Sequence, residues 1–300
     1  MEMLKYFKRK KYVYLMILPV VLYFLVFKYW AMGWISIAFF NYRLLRGFAG
    51  STFVGIENFR LFINSLNFAT IIRNTFLLNL YSLIFSFPMP IIFALLLNEI
   101  RVMKFKQVVQ TISYLPHFMS AVVVVSMLSV MLSPQTGFIA GIYKSMGLNP
   151  IYFLGTPGWF RPIYIISDIW QEMGWSAIIY ISALSGINPD LYEAAKVDGA
   201  GRFRQIWHVS LPGIRETIVL LFVMRVGNLM ASSFEKPFLL QNPLNISVSE
   251  VLATYTYKMG MIQTNYSLST AISLFDSVIA LILVFMANTI SRKLSDISLF

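Results

Sequence analysis

Cysteine is absent from the 300 residues, and histidine occurs only at His117 and His208. Without a thiol there is no disulfide framework, thiolate metal site, iron–sulfur cluster or cysteine nucleophile, and the redox compartment is not readable. The two histidines lie far apart, and neither a His-Glu-x-x-His nor a Gly-x-Ser-x-Gly pattern occurs, so each is read as structural. A Gly-x4-Gly-Lys-Ser/Thr loop is also missing, because 137–145 has the ingredients at the wrong spacing. If ATP drives this protein, another chain binds it. Charge is scarce as well, at 12% against roughly 25% in an average soluble domain. With 58% hydrophobic residues, the composition is that of a membrane protein. The net charge of +11 is not a nucleic-acid patch, since the basic residues sit at the ends of apolar runs, where they orient a chain in a bilayer.

What is present is a series of long apolar runs. The reading is all-α, one polytopic domain over 1–300, with six transmembrane helices at about 12–40, 71–97, 108–132, 162–184, 214–232 and 266–290. The first run follows Lys5, Lys8, Arg9, Lys10 and Lys11. It is roughly twice the ~7 to 15 residues of a signal-peptide core, so it is read as an uncleaved span. Pro88 and Pro90 are expected to kink or loosen the second. The glycine- and aromatic-rich stretch 133–161 is expected to form an external or re-entrant loop, and 234–265 a last external segment. Of the 24 lysines and arginines, 14 fall on short segments assigned to the cytoplasm and 8 on longer external ones, which places both termini in the cytoplasm.

One polar island, 185–212, interrupts this pattern. Asn188 can cap a helix that starts at Pro189, with Asp190 and Glu193 in its first turn. Gly199 and Gly201 can make a sharp turn, and Phe203, Ile206, Trp207 and Val209 give a second helical period. The run Glu193-Ala194-Ala195, three residues, Gly199, then Val209-Ser210-Leu211-Pro212 resembles the EAA loop of permease subunits in binding-protein-dependent ATP-binding-cassette (ABC) importers, with Val209 where isoleucine is more usual. Its seven specified positions would coincide by chance on the order of once in 100,000 sequences of this length. The resemblance implies a type I importer permease whose coupling helix enters a groove on a cytoplasmic ATPase. Glu193, Ala194, Ala195, Asp198 and Gly199 would make that contact, and Leu211 and Pro212 would pass movement into the next span. Val54-Gly55-Ile56-Glu57-Asn58-Phe59, Tyr114-Leu115-Pro116 and the approach from Asn188 to Tyr192 are similar to carbohydrate-importing permeases, particularly those for oligosaccharides or polymer fragments.

Ionisable groups at membrane depth usually face a bundle interior. Asp168 and Glu172 lie one turn apart with Trp170 between them; Arg225, Asn228 and Ser232 share a face, and Asp276 follows in the last span. They are the candidate substrate path, the acids and amides accepting from sugar hydroxyls and Trp170 offering a stacking face. The plainer alternative is that Arg225 neutralises Asp168, Glu172 or Asp276. Met224 and Met230 are read as packing. Arg43, Arg46, Arg60 and Arg73 leave open an acidic glycan or serve as ordinary surface charges.

What the resemblance implies is a bacterial inner-membrane subunit that binds no cofactor and breaks no covalent bond. Its partners would be a second permease (a different chain in most such importers), two ATPase subunits carrying ATP and Mg, an extracytoplasmic binding protein, a carbohydrate and lipid, without nucleic acid. The rivals are an ion-gradient transporter using Asp168, Glu172 or Asp276, and a polytopic enzyme acting on lipid-linked sugars. The first leaves the EAA loop unexplained, and the second lacks paired carboxylates or a metal cluster at the interface.

Overall fold

The computed structural model describes residues 10–227 and 233–295. The Lys5–Arg9 part of the basic N-terminus, Asn228, Met230 and Ser232 lie outside them, as does the Lys293 side chain. By length and hydropathy three helices can cross a membrane: α1 (Lys11–Phe39), a second over Phe68–Asn98, and the Tyr266–Thr289 part of the last helix. A fourth crossing arises if Met103–Phe118 and Ala121–Met131 count as one broken span. The apolar stretch of α1 is exposed throughout, as suits a helix whose solvent is lipid.

The chain packs as two units. One takes residues up to Ser65 with 256–275. Within the all-α architecture this unit holds one small strand element. After α1 the chain forms a short antiparallel hairpin, β1 (Phe40–Arg43) and β2 (Gly47–Phe53), with Phe40 opposite Phe53. Gly47 makes the turn possible at φ +63°. The buried Asn58, in helix α2 (Glu57–Ile63), donates to the carbonyls of Ala38 and Phe40. That is the structural reason for the asparagine in the Val54–Phe59 pattern.

The other unit, 66–255 with 276 onward, is built on α3 (Phe68–Asn98), α4 (Met103–Phe118), α5 (Ala121–Met131), α6 (Phe138–Ser145) and the long α7 (Pro157–Ser185). Beyond these come α8 (Pro189–Val197), α9 (Arg202–Gln205), α10 (Arg215–Gly227) and α11 (Glu235–Leu240). Ahead of Pro88 and Pro90, α3 is loosened but stays one span. A π-helical turn at Ser82–Ser86, where the Phe87 amide donates to the Ser82 carbonyl, accommodates Pro88 just beyond it. The expected third span, 108–132, is a correction: it breaks after Phe118 and bends by 99° into α5. Pro116 sits in a tight 3-10 turn, and Ser120 caps α5 by accepting from the Val123 amide. The expected fourth span lies within α7, which starts a turn earlier with Pro157 in its first turn and Pro162 inside it.

Helix α7 is the axis of this unit. Phe160, Ile163, Tyr164, Ser167, Gln171, Gly174, Ala177 and Leu184 make one buried stripe at helical spacing. Its N-terminal half packs with Leu78, Val125, Phe153 and Leu240, and its C-terminal half with Ile91, Ala94 and Ile214. Gly174 lets α4 approach, because a Cβ there would lie 2.1 Å from the Ser113 carbonyl oxygen. The segment 234–265, expected to be the last external one, is fastened into the core through its middle. Asn74 donates to the carbonyls of Ser247 and Glu250 and accepts from Arg161, while Thr75 accepts from the Leu252 amide. Lys236 is buried.

Candidate functional site

Between its two apolar halves α7 carries Asp168, Gln171, Glu172 and Trp175, and these line a cleft of about 1030 Å³. Ser86 and Phe87 of α3, residues 119–121, Leu221, Met224 and Arg225 of α10, and Glu235 and Lys236 of α11 complete it. Asp168 Oδ1 lies 3.6 Å from Lys236 Nζ, which also sits 5.7 Å from the centre of the Tyr164 ring. Glu172 Oε2 is 2.9 Å from His117 Nδ1, and the His117 ring stacks on Trp175 at 4.5 Å with 2° between planes. Gln171 donates to the Met119 carbonyl, so three successive polar groups of α7 hold the broken end of α4 and the start of α11. Arg225 Nη2 donates to Ser82 Oγ at 2.6 Å.

Asp168, Glu172 and Arg225 are therefore in one place, but Trp170 and Asp276 do not line the cleft. The aromatic face there belongs to Trp175. Asp276 has its Oδ1 buried without a hydrogen-bond partner among the described residues. Arg225 also departs from the neutralising role: its acceptor is a hydroxyl, and the cation beside Asp168 is Lys236. Lys236 lies 68 residues from Asp168 in the sequence, and His117 reaches Glu172 only because α4 breaks. Neither pairing leaves a local sequence signal.

The polar island has a defined geometry. Asn188 Oδ1 accepts from the Asp190 amide at 3.0 Å and caps α8. At its other end the Ala200 amide donates to the Ala195 carbonyl and the Gly199 amide to that of Lys196, with Gly199 at φ +75°. That is a Schellman turn, which satisfies the last carbonyls of α8. Gln205 donates to the Ala200 carbonyl, fixing α9 against the turn, and Tyr192 pairs with the buried Ser210 at 3.0 Å. Glu193, Ala194, Asp198 and Gly199 are exposed and Ala195 is half-buried. Val197 (88% exposed) and Phe203 (79%) present apolar surface on an otherwise polar loop, as partner-binding surfaces do. Leu211 and Pro212 lead to Ile214, which is buried against the C-terminal half of α7.

Residues 71–296 match the family model described as binding-protein-dependent transport system inner membrane component. Over 96% of its length the chain is 45% identical to the polygalacturonan/rhamnogalacturonan transport system permease protein YteP of Bacillus subtilis, covering 90% of that protein. Protein LplB of the same organism is 44% identical over 98% of this chain and 92% of its own length. The fold superposes with TM-score 0.90 on a chain of a bacterial ABC transporter involved in the import of the acidic polysaccharide alginate, at 40% identity over 98% of this chain and 100% of that one. A second structure of a bacterial alginate ABC transporter, in complex with an alginate pentasaccharide-bound periplasmic protein, gives TM-score 0.90 at 39% identity over 98% and 99%. The chain belongs to the family of binding-protein-dependent transport system inner membrane components.

Proposed function

We propose that this chain is one of two permease subunits of an ATP-driven importer for acidic oligosaccharides or polysaccharide fragments. Six crossings of the inner membrane by one permease domain, formed by α1, α3, the α4–α5 pair, α7, α10 and the last helix, put both termini in the cytoplasm. A second, different permease closes the path. Two ATPase subunits hold ATP and Mg, and an extracytoplasmic binding protein delivers the sugar. This chain binds no cofactor and catalyses no reaction; it moves.

The observation that carries the reading is the continuity of α7 with the polar island. The cleft residues 168–175 and α8 are joined by one helix end, so Trp175 and Ser185 are about 15 Å apart at ~1.5 Å per residue. Glu193, Ala194, Ala195, Asp198 and Gly199 dock on the ATPase, and its closure displaces α8. Leu211 and Pro212 pass the displacement to Ile214 and α10, and the end of α7 passes it to the cleft. ATP and the docked binding protein supply the differential free energy between inward- and outward-open states that any such switch requires. The acidic polymers named for the relatives, and the exposed Arg225 guanidinium in the cleft, support a uronate substrate over a neutral one.

The test is ATP hydrolysis by the co-purified complex in lipid vesicles with its binding protein, across neutral and uronate oligosaccharides. Several-fold stimulation by a uronate oligomer is expected. Stimulation by neutral oligomers alone would reject the substrate class.

A further inference from the structure

We propose that Arg225 reads the carboxylate of the passing sugar, so that the cleft contains a carboxylate subsite made by its guanidinium, which the buried Ser82 anchors from behind the cleft wall. This rests on the acidic-saccharide reading and assigns its selectivity to one residue.

Three carboxylates, Asp168, Glu172 and Glu235, line the same cleft as Arg225. Asp168 is taken by Lys236 and Glu172 by His117, and among the described residues no carboxylate lies within ion-pair distance of Arg225. The neighbouring stretch 228–232, Asn-Leu-Met-Ala-Ser, contains no acid. A guanidinium on an apolar helix, beside Leu221 and Met224, is costly at membrane depth unless an anion or water compensates it. Its acceptor here is a neutral hydroxyl.

The two cations of the cleft differ in kind. Lys236 has a side chain only 8% exposed, held by Asp168 and the face of Tyr164, so it belongs to the wall. Arg225 is exposed, and one corner of its fork is fixed by the buried Ser82. The remaining N–H groups can donate to a carboxylate in bidentate fashion. Ser82 opens the π-helical turn of α3, so the same bulge that accommodates Pro88 sets the height of Arg225. A single anchored guanidinium in an open cleft holds an anion without trapping it, which transport requires.

The test uses the co-purified transporter in nanodiscs without its binding protein, so that selectivity belongs to the membrane subunits. Binding of a galacturonate trisaccharide is compared with that of its carboxyl-reduced counterpart by calorimetry. The wild type is expected to favour the acidic sugar by about tenfold or more, and Arg225→Gln to reduce the ratio to about one. Arg225→Lys keeps the charge but not the fork, and retains part of the preference. Should Arg225→Gln fail to assemble, Ser82→Ala frees the guanidinium and is expected to narrow the ratio several-fold. An unchanged ratio in these variants overturns the role of Arg225 alone. So does equal loss for both sugars, which marks Arg225 as a structural anchor or the partner of an acidic side chain on the second permease. A wild type that favours the reduced sugar overturns the substrate reading as well.

Discussion

Valine at Gly199 is expected to cut sugar-stimulated ATP hydrolysis and uptake at least about tenfold while the permease still inserts. Gly199 stands at φ +75°, and its amide and that of Ala200 close α8 onto the Lys196 and Ala195 carbonyls. A left-handed backbone is unfavourable for an L-residue by about 1–2 kcal/mol, more for one branched at Cβ. The chain escapes by opening the turn, which releases the Gln205 bond to the Ala200 carbonyl and lets α8 and α9 swing apart. No Cβ clash contributes, since nothing lies within 4 Å of that position. The defect is thus one of direction, which matters only if the loop transmits force. Asparagine tolerates this conformation best after glycine and should restore most activity. Parallel assays of ATPase and uptake in vesicles decide this. Valine at full activity would mean that the loop's shape is immaterial.

Removing Asp168 is the second large effect. Lys236 is 8% and Asp168 18% exposed at the side chain, so Asp168→Ala leaves an ammonium sealed against Tyr164 with no carboxylate in ion-pair contact, Glu172 acting only from farther off. Breaking a buried pair from one side costs about 3–5 kcal/mol, whereas replacing both partners with apolar groups is often neutral. Thermal unfolding of the purified complex should show a marked fall for Asp168→Ala or Lys236→Met alone. The double change should recover most of the loss, because the orphaned charge is gone. Additive losses would show that the two residues act independently and that the pair is not what fastens α11 to α7.

The two effects differ in how far they could be foreseen. Gly199, the Asn188 cap and the apolar runs at both ends of α7 follow from local rules of caps, turns and periodicity, so the island and the long helices were legible in the residues. The 99° break of the third span was not, because Tyr114 to Met131 is apolar on either side of Pro116 and reads as one run. The cleft was half legible. Asp168, Glu172 and Arg225 announced themselves by being ionisable in apolar surroundings, but their partners lie 55 to 143 residues away in sequence, as His117–Glu172 and Ser82–Arg225 show. Trp170 does not line the cleft because helical rotation turns it away, while Trp175 lies one turn below Glu172 and faces His117.

The most direct measurement is uptake of a labelled uronate oligomer into vesicles containing the co-purified complex, with ATP and an imposed ion gradient supplied separately. Uptake that requires ATP and the binding protein, and that survives collapse of the gradient, is the expected result. Uptake that follows the gradient without ATP would contradict the coupling role of 193–199 and return the cleft acids Asp168 and Glu172 to an ion-binding role.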